Sequence, residues 1–155
     1  AEWDIREDGR IIGVTEELSA QEIYEMGRKV EPFQIASATR MGHIHLSVRD
    51  SRVASAFYQK VLGLSDKFTV PSASWIASGD YHHHLAVNEW AGKHLAKREA
   101  QLPGLSYYVV HVEKKEDLVA IAERAKEQEA AVTWLTSSEI EFTDPDGIVT
   151  RVRKG

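Results

Sequence analysis

From Gly42 onward, polar and apolar positions fall into a regular order. His43 to Val48 alternates, which predicts a half-buried strand with Ile44, Leu46 and Val48 on one face and His43, His45 and Ser47 on the other. A helix follows, with Asp50 or Ser51 as N-cap, Val53, Phe57, Val61 and Leu62 along one side, and Gly63 as its stop. Strands are expected at Lys67 to Val70, at Ser74 to Ala77 and, after the Gly79-Asp80 turn, at His82 to Asn88. After a loop from Glu89 to Gly104 the same order returns. Tyr107 to Val112 reads as a strand, with Tyr108, Val110 and Val112 inward and Tyr107 and His111 outward. The next helix carries Leu118, Ile121, Ala122 and Ala125 at i, i+3, i+4 and i+7, and the charges between Glu113 and Glu129 form its wet side. Strands then fall near Ala131 to Leu135, Glu139 to Thr143 and Ile148 to Arg153, the last two joined by the Asp144-Pro145-Asp146-Gly147 turn. On that last strand Ile148 and Val152 face inward and Arg151 faces outward.

This is βαβββ twice over, an α+β fold with modules at about 41–90 and 104–153, together forming a domain at 41–155. Residues 1–40 read as a linker or arm. Arg10 to Val14 suits a short strand, and the capping box Ser19-Ala20-Gln21-Glu22 predicts a short helix from about Ala20 to Arg28. Pro32 ends regular structure before Gly42.

The polar face of this pattern carries the chemistry. Gly42-His43-Ile44-His45 and Tyr81-His82-His83-His84 hold five of the seven histidines, and imidazole is the commonest protein ligand for transition metals. With no cysteine there is no thiolate nucleophile, disulfide or cysteine–zinc site. A net charge of −5 disfavours nucleic acid or an anionic membrane as partner, and no apolar run approaches the ~20 residues that span a bilayer. These features fit a cytoplasmic protein. Blander roles are expected elsewhere: His82 and His84 as packing and hydrogen-bonding residues, His94 in a solvated loop, and Trp75, Trp90 and Trp134 in the core and against the sheets.

The element order, with Gly42-His43-Ile44-His45-Leu46-Ser47-Val48-Arg49-Asp50, Ala56-Phe57-Tyr58…Leu62-Gly63-Leu64 and Asp144-Pro145-Asp146-Gly147, resembles the vicinal oxygen chelate superfamily of glyoxalases, bleomycin-resistance proteins and extradiol dioxygenases. It is most similar to the carboxy-terminal half of two-domain bacterial catechol 2,3-dioxygenase-like proteins. Trp3…Asp8-Gly9-Arg10 and the Ser19 helix look like their inter-domain linker, which implies a missing amino-terminal domain. The resemblance implies two modules curled into one cup around an Fe or Mn ion and a small-molecule substrate. It places His43 at a metal-ligand position and His83 at the acid–base histidine, a ligand position in glyoxalase-like members. Tyr107 stands where a second histidine ligand is expected and Arg151 where a glutamate is expected.

Alternation alone does not settle His83, because Leu85 and Val87 share its parity; polarity would send His82 and His84 to the polar side instead. The resemblance therefore decides: it implies His43 as the metal-ligand candidate and His83 as the catalytic one, with His45, Tyr107, His111 and Arg151 lining the cup as substrate contacts. A fixed guanidinium at Arg151 opposes a dication, a neutral phenol at Tyr107 is a poor substitute for imidazole, and Glu139 or Glu141 is an alternative carboxylate.

Three functions remain open. The chain is a degenerate half of a ring-cleaving metalloenzyme; or a metal-free cup for a small anionic or aromatic ligand; or an active glyoxalase-like metalloenzyme using His43 and His83. A homodimer is expected to cover the flank that a separated domain exposes.

Overall fold

The computed structural model describes residues 4–11, 17–27, 32, 34–93, 95–97, 99 and 101–155. Trp3, residues 12–14, Arg28 and His94 therefore lie outside the described residues. In the arm, helix α1 (Ala20–Met26) starts where the capping box places it, Ser19 accepting from the Glu22 backbone N–H. Ile11 makes a single antiparallel bridge with Ile5, and its N–H donates to the Lys67 carbonyl at 2.9 Å.

The first module runs β1 (Ile44–Ser47), α2 (Ser51–Leu62), β2 (Ser65–Val70), β3 (Ala73–Ala77) and β4 (Leu85–Asn88). Asp50 caps α2 by accepting from the Arg52 and Val53 N–H groups, and Gly63 ends it at φ 71°, a left-handed turn that costs glycine little. The second module repeats the order as β5 (Tyr108–Val112), α3 (Lys115–Glu127), β6 (Val132–Thr136), β7 (Glu139–Thr143) and β8 (Val149–Lys154). The strands form two four-stranded mixed sheets, ordered β1-β4-β3-β2 and β5-β8-β7-β6, in which the first and last strand of each module pair in parallel. Among the described residues no strand pairing links the two sheets, and there is no closed barrel.

One core serves both modules. Leu46 and Val48 of the first strand region, Phe57, Tyr58 and Val61 of α2, Leu118, Ile121, Ala122 and Ala125 of α3, and Ile140, Phe142 and Val152 of the second sheet form a single cluster. The inward parity expected for β1, β5 and β8 is therefore realised.

Three expectations change. Val53 is 53% exposed, and Tyr58, fully buried, takes the inward place on α2, because its hydroxyl finds a buried partner in Asp144 at 2.8 Å. Trp90 and Trp134 are largely exposed rather than core residues. The strand expected from His82 begins only at Leu85, so residues 81–84 do not follow strand alternation.

Candidate functional site

His45 on β1 and His43 just before it, two residues apart, bring their rings to 5.3 Å. The segment before β4 is pinned beside them: the Ile44 N–H donates to the His84 carbonyl at 3.1 Å, and the His84 N–H donates to the Ile76 carbonyl at 3.0 Å. This places His83, buried at 9% exposure, against both. The His43 and His83 rings lie 4.2 Å apart, and His45 lies 5.3 Å from each. The Nε2 atoms of His45 and His83 are 3.2 Å apart, a hydrogen bond if one ring carries its proton there. One nitrogen from each of His43, His45 and His83 falls within a 4.8 Å cluster. The His82 ring packs edge-on against His43 and His83. His84 stacks on Tyr81 and accepts from the Ser78 N–H, a hydrogen-bonding role.

Burial favours the neutral form of His45 and His83. Burial pulls the His83 pKa from 6.5 down to about 3, and the neighbouring His43, His82, His45 and His84 rings add to it. Burial and then His43 lower His45 in the same direction. Neutral imidazole has the lone pair that a metal needs. His45 also lines a cavity of about 270 Å³ whose wall includes Leu95, Leu105 and Ile148.

Tyr107 and Arg151 meet elsewhere, on the outward face of the second sheet. The Arg151 guanidinium lies 3.7 Å from the centre of the Tyr107 ring, and its Nε donates to Glu141 at 2.8 Å. Glu139 is paired with Arg153 at 2.9 Å, so both alternative carboxylates are engaged by arginines. His111 is exposed on β5, opposite Arg153. Among the described residues no hydrogen bond, ion pair or ring contact joins the histidine group to Tyr107 or Arg151. The Glu–Arg ladder has a sequence signal: Glu139 and Glu141 mirror Arg153 and Arg151 about the Asp144–Gly147 turn, which sets them opposite each other. The direct approach of His45 to His83 has no such signal, since it depends on the irregular segment before β4.

Solved structures share this fold. A glyoxalase/bleomycin resistance protein/dioxygenase domain from Frankia sp. EAN1pec superposes with a TM-score of 0.60 at 21% identity, covering 77% of this chain and 99% of that one. Lactoylglutathione lyase from Agrobacterium tumefaciens gives 0.56 at 19%, covering 77% and 96%. Fosfomycin resistance protein FosX from Listeria monocytogenes, complexed with Mn(II) and sulfate, gives 0.56 at 15%, covering 76% and 90%. These likenesses establish the fold. Residues 40–152 match the family model of the Glyoxalase/Bleomycin resistance protein/Dioxygenase superfamily, and the chain belongs to that superfamily. A catechol-2,3-dioxygenase of Bacillus subtilis (strain 168) is 32% identical over 126 residues, 80% of this chain. The chain spans less than half of that relative, 44% of its length. Among the described residues no helix is long and apolar enough to cross a membrane.

The donors present differ in how well they suit a divalent metal such as the Mn(II) of the Listeria monocytogenes structure. The second-module positions, a phenol and a paired guanidinium, do not suit a dication. The His43–His45–His83 group does, on donor type and spacing.

Proposed function

We propose that this chain is one domain of a dioxygenase-type enzyme that opens the ring of a small aromatic diol, and that it supports this chemistry without carrying the ring-opening iron at Tyr107 and Arg151. The carrying observation is the state of Arg151. A permanent cation, tied to Glu141 and laid on Tyr107, occupies the position that the resemblance reserves for a carboxylate ligand. The likeness to catechol-2,3-dioxygenase supports the substrate class. On this reading the iron sits in an amino-terminal domain of the same superfamily, and the protein works in the cytoplasm. A second copy covers exposed apolar surface of the second module, where Tyr107, Trp134 and Leu135 are 40%, 43% and 40% exposed.

The test is anaerobic loading with Fe²⁺ followed by catechol and oxygen. The chain alone should show no catechol-dependent oxygen uptake, and a polypeptide joining it to an amino-terminal superfamily domain should. Uptake by the chain alone would overturn the reading. It would favour a second one, an active metalloenzyme built on His43 and His83, to which the histidine cluster lends support.

A further inference from the structure

We propose that His43, His45 and His83 form a metal site contained within the first module, suited to a borderline dication such as Zn²⁺ or Co²⁺. His43 and His83 stand at positions that the resemblance already marks for ligands; what is new is His45 as the third donor, in place of any ligand from the second module. The site also stands apart from the proposed dioxygenase role, since it requires no ring cleavage by any domain.

Geometry is the first support. Two imidazole nitrogens bound at 2.0–2.1 Å to a tetrahedral ion sit about 3.3–3.4 Å from each other. The His45 and His83 Nε2 atoms are already 3.2 Å apart, and a His43 nitrogen lies within the same 4.8 Å group. Bringing all three onto one ion calls for side-chain torsion changes and leaves the strands in place.

Rigidity is the second support. His43 and His45 flank Ile44, and the His83 segment is tied to that same residue through the His84 carbonyl, so one backbone hydrogen bond fixes the spacing of all three. The parallel register of β1 with β4, Ile44 opposite Leu85, holds the arrangement from the other side. His82 packs edge-on against two of the three rings and restricts their rotation. A site held in this way has the backbones of its ligands in place before the ion arrives, and only side-chain torsions remain to adjust.

Donor chemistry selects the metal. All three donors are nitrogens, with no carboxylate in the group. Imidazole suits zinc, cobalt, nickel and copper, whereas carboxylate and carbonyl oxygens suit magnesium, calcium and manganese. Three protein ligands leave a fourth position for water or an oxygen donor. His45 also borders the cavity walled by Leu95, Leu105 and Ile148, which offers room for a small molecule beside the site.

The experiment titrates the chelator-treated protein calorimetrically with Zn²⁺, Co²⁺ and Mn²⁺, and follows Co²⁺ by its visible absorption. One equivalent each of Zn²⁺ and Co²⁺ should bind, Mn²⁺ more weakly than either, and the Co²⁺ bands should have the intensity of a low-coordinate site. His45→Ala and His83→Ala should each weaken Zn²⁺ by more than about 100-fold, beyond what the loss of an outer-sphere partner costs. His84→Ala should leave binding intact, because that ring serves the Ser78 N–H. Circular dichroism on each variant, with His45→Gln as a second substitution, separates ligand loss from unfolding. No binding by the folded chain, binding that survives both His45→Ala and His83→Ala, or Mn²⁺ bound as tightly as Zn²⁺ would each overturn the proposal. None of these outcomes depends on ring cleavage, so this site and the dioxygenase reading can fail separately.

Discussion

At the scale of single residues, the histidine group illustrates what alternation can and cannot tell. His45 lies on the regular strand β1 and His43 immediately precedes it, and their shared parity could be read directly from Ile44, Leu46 and Val48. His83 could not be placed that way, since β4 starts two residues later and strand parity has no hold on residues 81–84. Its position has a measurable consequence. With a folded pKa of about 3 against 6.5 unfolded, folded His83 binds fewer protons than unfolded His83 between those values. Stability from this group is therefore fully present above pH 6.5 and is lost as pH falls toward about 3. The loss grows as pH falls below the unfolded value. In the metal-free protein, His83→Asn should flatten this part of the curve. Urea denaturation at pH 7 and about pH 5 would check it, and an equal pH loss in both proteins would remove the cause assigned here.

The elements show a different boundary between pattern and packing. Helix α3 buries the four residues that its periodicity marks, Leu118, Ile121, Ala122 and Ala125. On α2, by contrast, a polar-tipped aromatic replaced an expected valine. A hydropathy pattern undervalues tyrosine, whose ring is apolar and whose hydroxyl needs a partner 86 residues away in the chain. That partner, Asp144, also accepts from the Asp146 and Ile148 N–H groups, so it ties α2 to the turn between β7 and β8. Burial raises the Asp144 pKa, opposed by the bonds from Ile148 and Tyr58. Folded Asp144 thus binds more protons than unfolded Asp144 just above the ordinary carboxylate range, and its contribution to stability falls as pH rises through that window. Tyr58→Phe removes one opposing bond and leaves a buried carboxylate oxygen short of a donor. The substitution should cost about 1–3 kcal/mol at neutral pH and less in acid, where the carboxyl gains a proton. Chemical denaturation at the two pH values measures the difference, and a cost independent of pH would count against it.

For the whole molecule, the doubled βαβββ order was legible because each module repeats the same local periodicities. The way the modules meet was not, because it depends on contacts between residues far apart in sequence. The Asp144–Gly147 turn, readable only as a turn, is the clamp. Arg49, just after β1, donates through Nε to Asp146 Oδ1 at 2.6 Å and through its terminal nitrogen to the Pro145 carbonyl at 2.9 Å. Arg124 of α3 reaches the Val61 carbonyl of α2 at 2.9 Å on the helical side. The Arg49 side chain is 43% exposed while that of Asp146 is 10% exposed, which places the pair between a screened surface bridge and a buried one. A double-mutant cycle with Arg49→Ala and Asp146→Ala should therefore return a coupling of about 1 kcal/mol, smaller in high salt. Arg49 and Asp146 both border the cavity beside His45, so the same substitutions should speed backbone hydrogen exchange in β1 ahead of the rest of the first sheet. Zero coupling, or exchange that rises equally across both sheets, would show that the shared apolar core holds the modules in register without this ion pair.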